Sequence, residues 1–108
     1  MSRRDRLQKM GALTQMIRDH DMAQLQRLAA DQNQTREKMA QLPMRAEGGT
    51  DPALFVVQQA HRIWAAQQLM HLNLLLARQR AALIEQRAKT ARSFGRANAV
   101  ARLLRQKS

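Results

Sequence analysis

Residues 43 to 52 read Pro-Met-Arg-Ala-Glu-Gly-Gly-Thr-Asp-Pro, and this stretch decides how the chain folds. Pro43 stops a preceding helix and the Gly48-Gly49 pair is a strong turn signal, so the stretch predicts a turn. Asp51 is a preferred N-cap residue, and Pro52 suits the first position of a helix because its missing N–H group needs no partner there. The turn therefore separates two helices, which are predicted at residues 3–42 and 53–105.

The composition on both sides of the turn favours helix. Ala, Leu, Gln, Arg and Met dominate the chain, and these residues lose little side-chain freedom in a helix. Only Phe55, Trp64 and Phe94 are aromatic, so a β-sheet would lack its favoured side chains. The 108 residues suffice for one domain. The predicted fold class is all-α, an antiparallel two-helix coiled-coil hairpin that forms a single domain over residues 1–108.

Apolar residues recur at alternating steps of three and four on both sides of the turn, which is the spacing of a coiled-coil seam. The seam of the first helix is predicted at Leu7, Met10, Thr14, Ile17, Asp21, Leu25, Leu28, Gln32, Thr35, Met39 and Leu42. The seam of the second is predicted at Ala53, Val56, Ala60, Ile63, Gln67, Met70, Leu74, Ala77, Ala81, Ile84, Ala88 and Ala91. In the first seam, two successive steps of four between Ile17 and Leu25 predict a stutter. Two seams joined by a short turn predict antiparallel packing.

A second apolar stripe lies on another face of the second helix. It consists of Leu69, Leu72, Leu76 and Leu83. Because a single partner helix covers only one face, this stripe is predicted to stay partly uncovered. The four leucines therefore predict a self-association site that turns the hairpin into a four-helix bundle, or a site where another protein docks.

The predicted helices differ in length. If Leu42 lies beside Ala53, then Leu7 lies near Ala88, and residues beyond about 93 have no partner within the chain. A helix over those last residues would project roughly 20 Å at 1.5 Å per residue. An overhang with an apolar stripe of its own is expected to find its partner in another chain. The predicted partner-binding residues are Arg92, Phe94, Arg96, Arg102, Leu104 and Arg105.

The formal charge of +11 is concentrated near the two ends of the chain. Residues 78–108 contain nine basic residues against Glu85 alone, and a second basic cluster covers residues 3–9. An antiparallel hairpin brings the two clusters to the same end. Such an excess attracts an acidic protein surface or nucleic acid, and the alternative is a helix surface on which the charge only keeps the protein soluble.

Residues suited to catalysis, metal binding or cofactor binding are not evident. The chain has no cysteine, and the spacing of His20, His61 and His71 does not bring them together on one metal ion. Gly48-Gly49 lacks the lysine of a phosphate-binding loop. The longest uncharged stretch, residues 63–77, is shorter than the roughly 20 apolar residues of a membrane span. The sequence predicts a cytoplasmic protein that is not an enzyme and has no cofactor and no membrane span.

The segment Ala91-Arg92-Ser93-Phe94-Gly95-Arg96-Ala97 lies in a short, basic, antiparallel coiled coil of Arg, Gln, Leu and Ala. This architecture resembles, over almost the whole chain, the stalk proteins of flagellar and type III secretion export. Members of that family look like the central shaft of rotary ATPases and insert their paired ends into a hexameric ATPase ring. The resemblance implies a role in protein transport in the flagellum or in type III secretion, with the export ATPase as partner of the basic end.

Two other functions stay open at the level of the sequence. One is a basic helical protein that binds nucleic acid without sequence preference, since the positive charge suits a phosphate backbone as well as an acidic protein. The other is a helical adaptor or chaperone that acts as a homo-oligomer.

Overall fold

A computed structural model describes residues 2–43 and 51–106 of the chain. Two α-helices account for almost all of them: α1 spans Arg3–Gln41 and α2 spans Pro52–Gln106. Both helices agree with the predicted bounds to within one residue. They pack against each other as an antiparallel hairpin, which confirms the predicted fold class. The glycine pair of the predicted turn lies outside the described residues.

Side-chain caps fix where both helices begin. The backbone N–H of Asp5 donates to Ser2 Oγ at 3.1 Å, and the N–H of Ser2 donates back to Asp5 Oδ2 at 3.3 Å. This reciprocal pair is a capping box, which satisfies two backbone donors at the start of α1. At the start of α2, Asp51 Oδ1 accepts a hydrogen bond from the N–H of Ala53 at 3.0 Å. Asp51 and Pro52 therefore act as the sequence predicted.

The chain divides into two compact units. Unit 1 joins residues 1–30 with residues 81–108, and unit 2 runs from Asp31 to Arg80. Within unit 2, the 11 residues Asp31–Gln41 of α1 accompany the 29 residues Pro52–Arg80 of α2. At 1.5 Å per residue these helical lengths are about 16 Å and 43 Å. In unit 2, α1 can therefore cover only part of α2.

The seam of α1 follows the predicted three-four repeat at most positions. Its buried and half-buried members are Leu7, Gly11, Thr14, Arg18, Asp21, Leu25, Leu28, Gln32, Thr35, Met39 and, just after the helix, Leu42. Two predicted positions are wrong, because Gly11 and Arg18 replace Met10 and Ile17, which are 52% and 42% exposed. With these replacements the steps of four and three alternate throughout, so the predicted stutter is absent.

Gly11 and Arg18 belong to the seam because of what they meet on α2. A Cβ atom at Gly11 would lie 3.0 Å from Leu104 Cδ1 and 3.6 Å from a methyl carbon of Val100, so glycine allows the helices to approach closely here. The guanidinium carbon of Arg18 lies 5.2 Å from the centre of the Phe94 ring, which is a cation–π contact. Neither contact can be inferred from the hydrophobic pattern of α1 alone.

The seam of α2 is the stripe that the sequence assigned to the outside. Its buried and half-buried members include Gln58, Ala65, Leu69, Leu72, Leu76, Gln79, Leu83, Gln86, Thr90, Ser93, Ala97, Val100 and Leu104. Leu76 and Leu83 are only 7% and 4% exposed, and Leu69 and Leu72 are half-buried, so the prediction that the leucine stripe lies outside the seam is wrong. Every position of the predicted seam, from Ala53 to Ala91, is exposed instead. The larger leucine side chains bury more apolar surface than the alanine-rich stripe would, which favours packing the leucine stripe against α1.

The pairing of the helices in unit 1 also differs from the predicted register. Asp21 contacts Thr90 and Ser93, whereas the predicted pairing placed it near residue 74. Gly11 faces Val100 and Leu104. The helices are therefore displaced from the predicted register by about 18 residues, or roughly 27 Å. The predicted overhang is wrong, because residues after 93 pack against α1.

A pair of alanine substitutions tests the close approach at Gly11. Gly95 lies inside α2 with nothing within 4 Å of a Cβ atom, so Gly95→Ala is expected to raise the free energy of unfolding by about 0.5–1 kcal/mol through helix propensity. Gly11→Ala gains the same propensity but pushes against Leu104, so it should stabilise clearly less. Urea denaturation followed by circular dichroism measures both. Equal stabilisation by the two substitutions would contradict the close approach.

Candidate protein-interaction surface

The first turns of α2 carry apolar residues that stay exposed. Leu54, Phe55, Val56 and Val57 follow one another in sequence and are between 48% and 66% exposed. Successive residues of a helix point about 100° apart, so this run presents apolar groups all around α2. A run of four consecutive exposed apolar residues is unfavourable in water and indicates a function.

The exposed apolar residues continue along α2 in unit 2 at helical spacing. Val56, Ile63, Met70 and Leu74 lie on one side of the helix and are 66%, 53%, 73% and 53% exposed. This side is offset by two residues, or roughly 200°, from the leucine seam. We call the whole set the apolar surface of α2: Leu54, Phe55, Val56, Val57, Ile63, Trp64, Met70, Leu74 and Leu75.

The apolar surface of α2 carries almost no charge. Residues 52–77 contain a single charged residue, Arg62, in a chain whose net charge is +11. The imidazole of His61 stacks on the indole of Trp64, with ring centroids 5.6 Å apart and planes inclined by 28°. Trp64 itself remains 48% exposed. These features suit contact with another apolar surface rather than with a polyanion.

The predicted partner-binding residues of the basic end separate into two groups in unit 1. Phe94 and Leu104 are half-buried, and they contact Arg18 and Gly11 of α1. The arginines of the set are exposed: Arg92, Arg96, Arg102 and Arg105. Of the predicted set, only the arginines are therefore exposed to a partner, and their binding role stays a prediction.

The N-terminal basic cluster lies beside the last turn of α2, at one end of unit 1. Arg3, Arg6, Leu7, Met10 and Leu103 line a groove of about 260 Å³. The N-terminal arginines therefore lie near Leu103, and not near residues 89–96 as the predicted register required. The groove combines an apolar floor with two guanidinium groups, which suits a ligand that is both apolar and anionic.

A cluster of polar side chains is buried between the helices of unit 1. Asp21, Thr90 and Ser93 are at most 4% exposed. The Ser93 hydroxyl donates to Asp21 Oδ2, while the Thr90 hydroxyl and the Gln86 amide donate to the Asp21 carbonyl oxygen at 3.2 and 3.1 Å. Because buried polar groups must find partners, this cluster favours one register of the two helices. Its polar atoms are engaged within the chain, so we assign it a structural role.

Neither a metal site nor a membrane span accompanies the apolar surface within the described part of the chain. Across residues 2–43 and 51–106, no group of three or more histidine, aspartate or glutamate side chains is placed to hold a metal ion. Neither helix, over the same residues, contains a stretch long and apolar enough to cross a bilayer. Compared with known proteins, the chain matches no family model, no curated protein and no solved structure.

Proposed function

We propose that this chain is a non-enzymatic, cytoplasmic helical adaptor whose protein-binding interface is the apolar surface of α2. One observation carries the proposal: nine large apolar side chains of α2 are between 39% and 73% exposed, although α2 already has a seam that faces α1. A helix with a second apolar face at three-four spacing is suited to packing against a further helix. Removing this apolar surface from water would favour binding by roughly 25 cal/mol per Å².

Site-specific photo-crosslinking in the native cell tests the proposal. A photoreactive residue at Val56 or Met70, both strongly exposed on the apolar surface, is expected to form adducts of discrete mass with protein. The same probe at Gln34, an exposed residue of α1, serves as the matched control and is expected to form few adducts. The absence of protein adducts at both Val56 and Met70 would contradict the proposal.

A more specific form of the proposal is a component of flagellar or type III secretion export whose basic end engages the hexameric export ATPase. The antiparallel hairpin and the exposed arginines of unit 1 support it, because a positively charged end suits an acidic socket. The alternative at the same residues is binding to nucleic acid.

Binding measurements with exposed residues separate the ATPase from nucleic acid. Replacing Arg92, Arg96 and Arg102 by Gln is expected to weaken binding to the purified ATPase hexamer without changing the fold, since all three are exposed. Truncating Phe94 or Leu104 would be ambiguous, because both also pack within the chain. Tight binding of duplex DNA near physiological salt, weakening with a log-log slope of about −0.9 per phosphate contacted, would favour nucleic acid instead.

A further inference from the structure

We infer that the occupant of the apolar surface of α2 is a second copy of this chain, packed antiparallel about a two-fold axis near Gln67. The inference rests on the proposed function, because it names the partner of the same surface. Its first support is the exposure of the surface itself. The nine large apolar side chains of the apolar surface of α2 are between 39% and 73% exposed, and burying such a surface against a second copy is favourable.

The pattern of the surface is compatible with its own copy. Along the side marked by Val56 and Ala77, the residues are apolar except for Gln67 at its middle. A two-fold axis near Gln67 superposes the surface on itself with its ends reversed, as a symmetric interface requires. The two Gln67 amides then lie within reach of each other, and each carries both a donor and an acceptor. A single polar pair in an apolar seam fixes the register of a coiled coil.

The distribution of charge selects the antiparallel direction. Residues 52–77 carry only Arg62, so pairing of these residues brings few like charges together. A parallel pair would extend into residues 78–106, where basic residues dominate, and would align each arginine with its own copy. Like charges placed opposite each other across an interface cost several kcal/mol. The antiparallel pair avoids this repulsion.

Sedimentation equilibrium between about 1 and 300 μM tests the inference on the full chain. The wild type is expected to dimerise, and Met70→Glu with Leu74→Glu is expected to raise the dimer dissociation constant at least 100-fold, because it places four carboxylates in an apolar contact. The control is Gln34→Glu with Gln41→Glu, which makes the same change in charge at exposed positions of α1 and should leave dimerisation unchanged. Circular dichroism confirms that all variants keep the helical content of the wild type.

Disulfide formation tests whether the two copies of α2 pair antiparallel. The natural chain has no cysteine, so any disulfide must come from the introduced residue. In the antiparallel pair, copies of residue 67 lie close to the axis, whereas copies of residue 53 lie about 42 Å apart at 1.5 Å per residue. Gln67→Cys is therefore expected to form a disulfide-linked dimer under mild oxidation, and Ala53→Cys is not. Cross-linking of both variants would show a parallel pair and overturn the proposed arrangement.

The outcomes separate this inference from the proposed function. A wild type that stays monomeric at 300 μM, or a glutamate variant that dimerises as well as the wild type, overturns the second copy as occupant. Photo-crosslinks from Val56 and Met70 to a different protein would then still support an adaptor. If no protein adduct forms at these positions either, the proposed function fails as well.

Discussion

Leu83→Glu is expected to lower the free energy of unfolding by at least about 3 kcal/mol, whereas Ile84→Glu at the next position is expected to change it by less than about 0.5 kcal/mol. Leu83 is 4% exposed in the seam of α2, and Ile84 is 66% exposed. Glutamate at position 83 both removes apolar packing and buries a carboxylate without a partner. At position 84 the same side chain stays in water. Because the two substitutions add the same charge one residue apart, their difference reports burial alone.

Thermal and urea denaturation followed by circular dichroism measures the Leu83 and Ile84 variants. Both are compared at a concentration at which sedimentation shows a monomer, so that association does not contribute. The sequence alone had placed Ile84 in the seam and Leu83 outside it. If Ile84→Glu proves the more destabilising variant, the α2 seam is the alanine-rich stripe after all. The same reasoning predicts that Leu72→Glu with Leu76→Glu also destabilises the hairpin, because Leu72 is half-buried and Leu76 is 7% exposed in the same seam.

The helix bounds were predictable because their signals are local. Pro43 ends one helix, and Asp51 with Pro52 begins the next through contacts that span only a few residues. Ser2 and Asp5 likewise cap α1 within its first turn. Such signals act through the geometry of the backbone at one place, so they do not depend on how the helices pair.

The register was not predictable from hydrophobic periodicity. The two stripes of α2 repeat with the same spacing and differ by an offset of two residues, so periodicity fits both equally well. Which stripe of α2 packs against α1 depends on the residues of α1 that face it. Gly11 leaves room for Leu104, and Arg18 contacts the ring of Phe94. The hydrogen bonds that Asp21 accepts from α2 favour the same stripe. A prediction that scores only apolar residues excludes these partners.

The sequence predicted that α2 carries an exposed apolar stripe, but it did not predict which residues form that stripe. Two apolar stripes on α2 already indicate that one partner helix is insufficient, and that expectation agrees with the exposure of Met70 and Leu74. Which stripe remains outside follows only from the pairing. The relative size of the side chains is the signal that could have decided it, since Leu76 and Leu83 fill a seam better than the alanines at positions 77, 81 and 88.

Ser93→Ala is expected to lower the free energy of unfolding by about 2–3 kcal/mol, while Asp21→Leu should leave it unchanged or raise it by about 1 kcal/mol. The Ser93 hydroxyl is the donor to the Asp21 carboxylate, which is almost fully buried. Removing that donor leaves a buried charged acceptor unsatisfied, whereas removing the carboxylate leaves no such group. The freed hydroxyl can donate to the Lys89 carbonyl oxygen, 3.2 Å away.

Ser93→Ala and Asp21→Leu differ in their expected effects because different atoms of Asp21 accept the hydrogen bonds. Thr90 and Gln86 donate to the backbone carbonyl of Asp21, so both bonds survive in Asp21→Leu, and leucine is close to aspartate in shape. In the Asp21→Leu background, Ser93→Ala is then expected to cost little, which gives a coupling energy of about 2 kcal/mol in a double-mutant cycle measured by urea denaturation. An equal cost of Ser93→Ala in both backgrounds would mean that the hydroxyl stabilises α2 through Lys89 alone, and that the buried carboxylate does not depend on it.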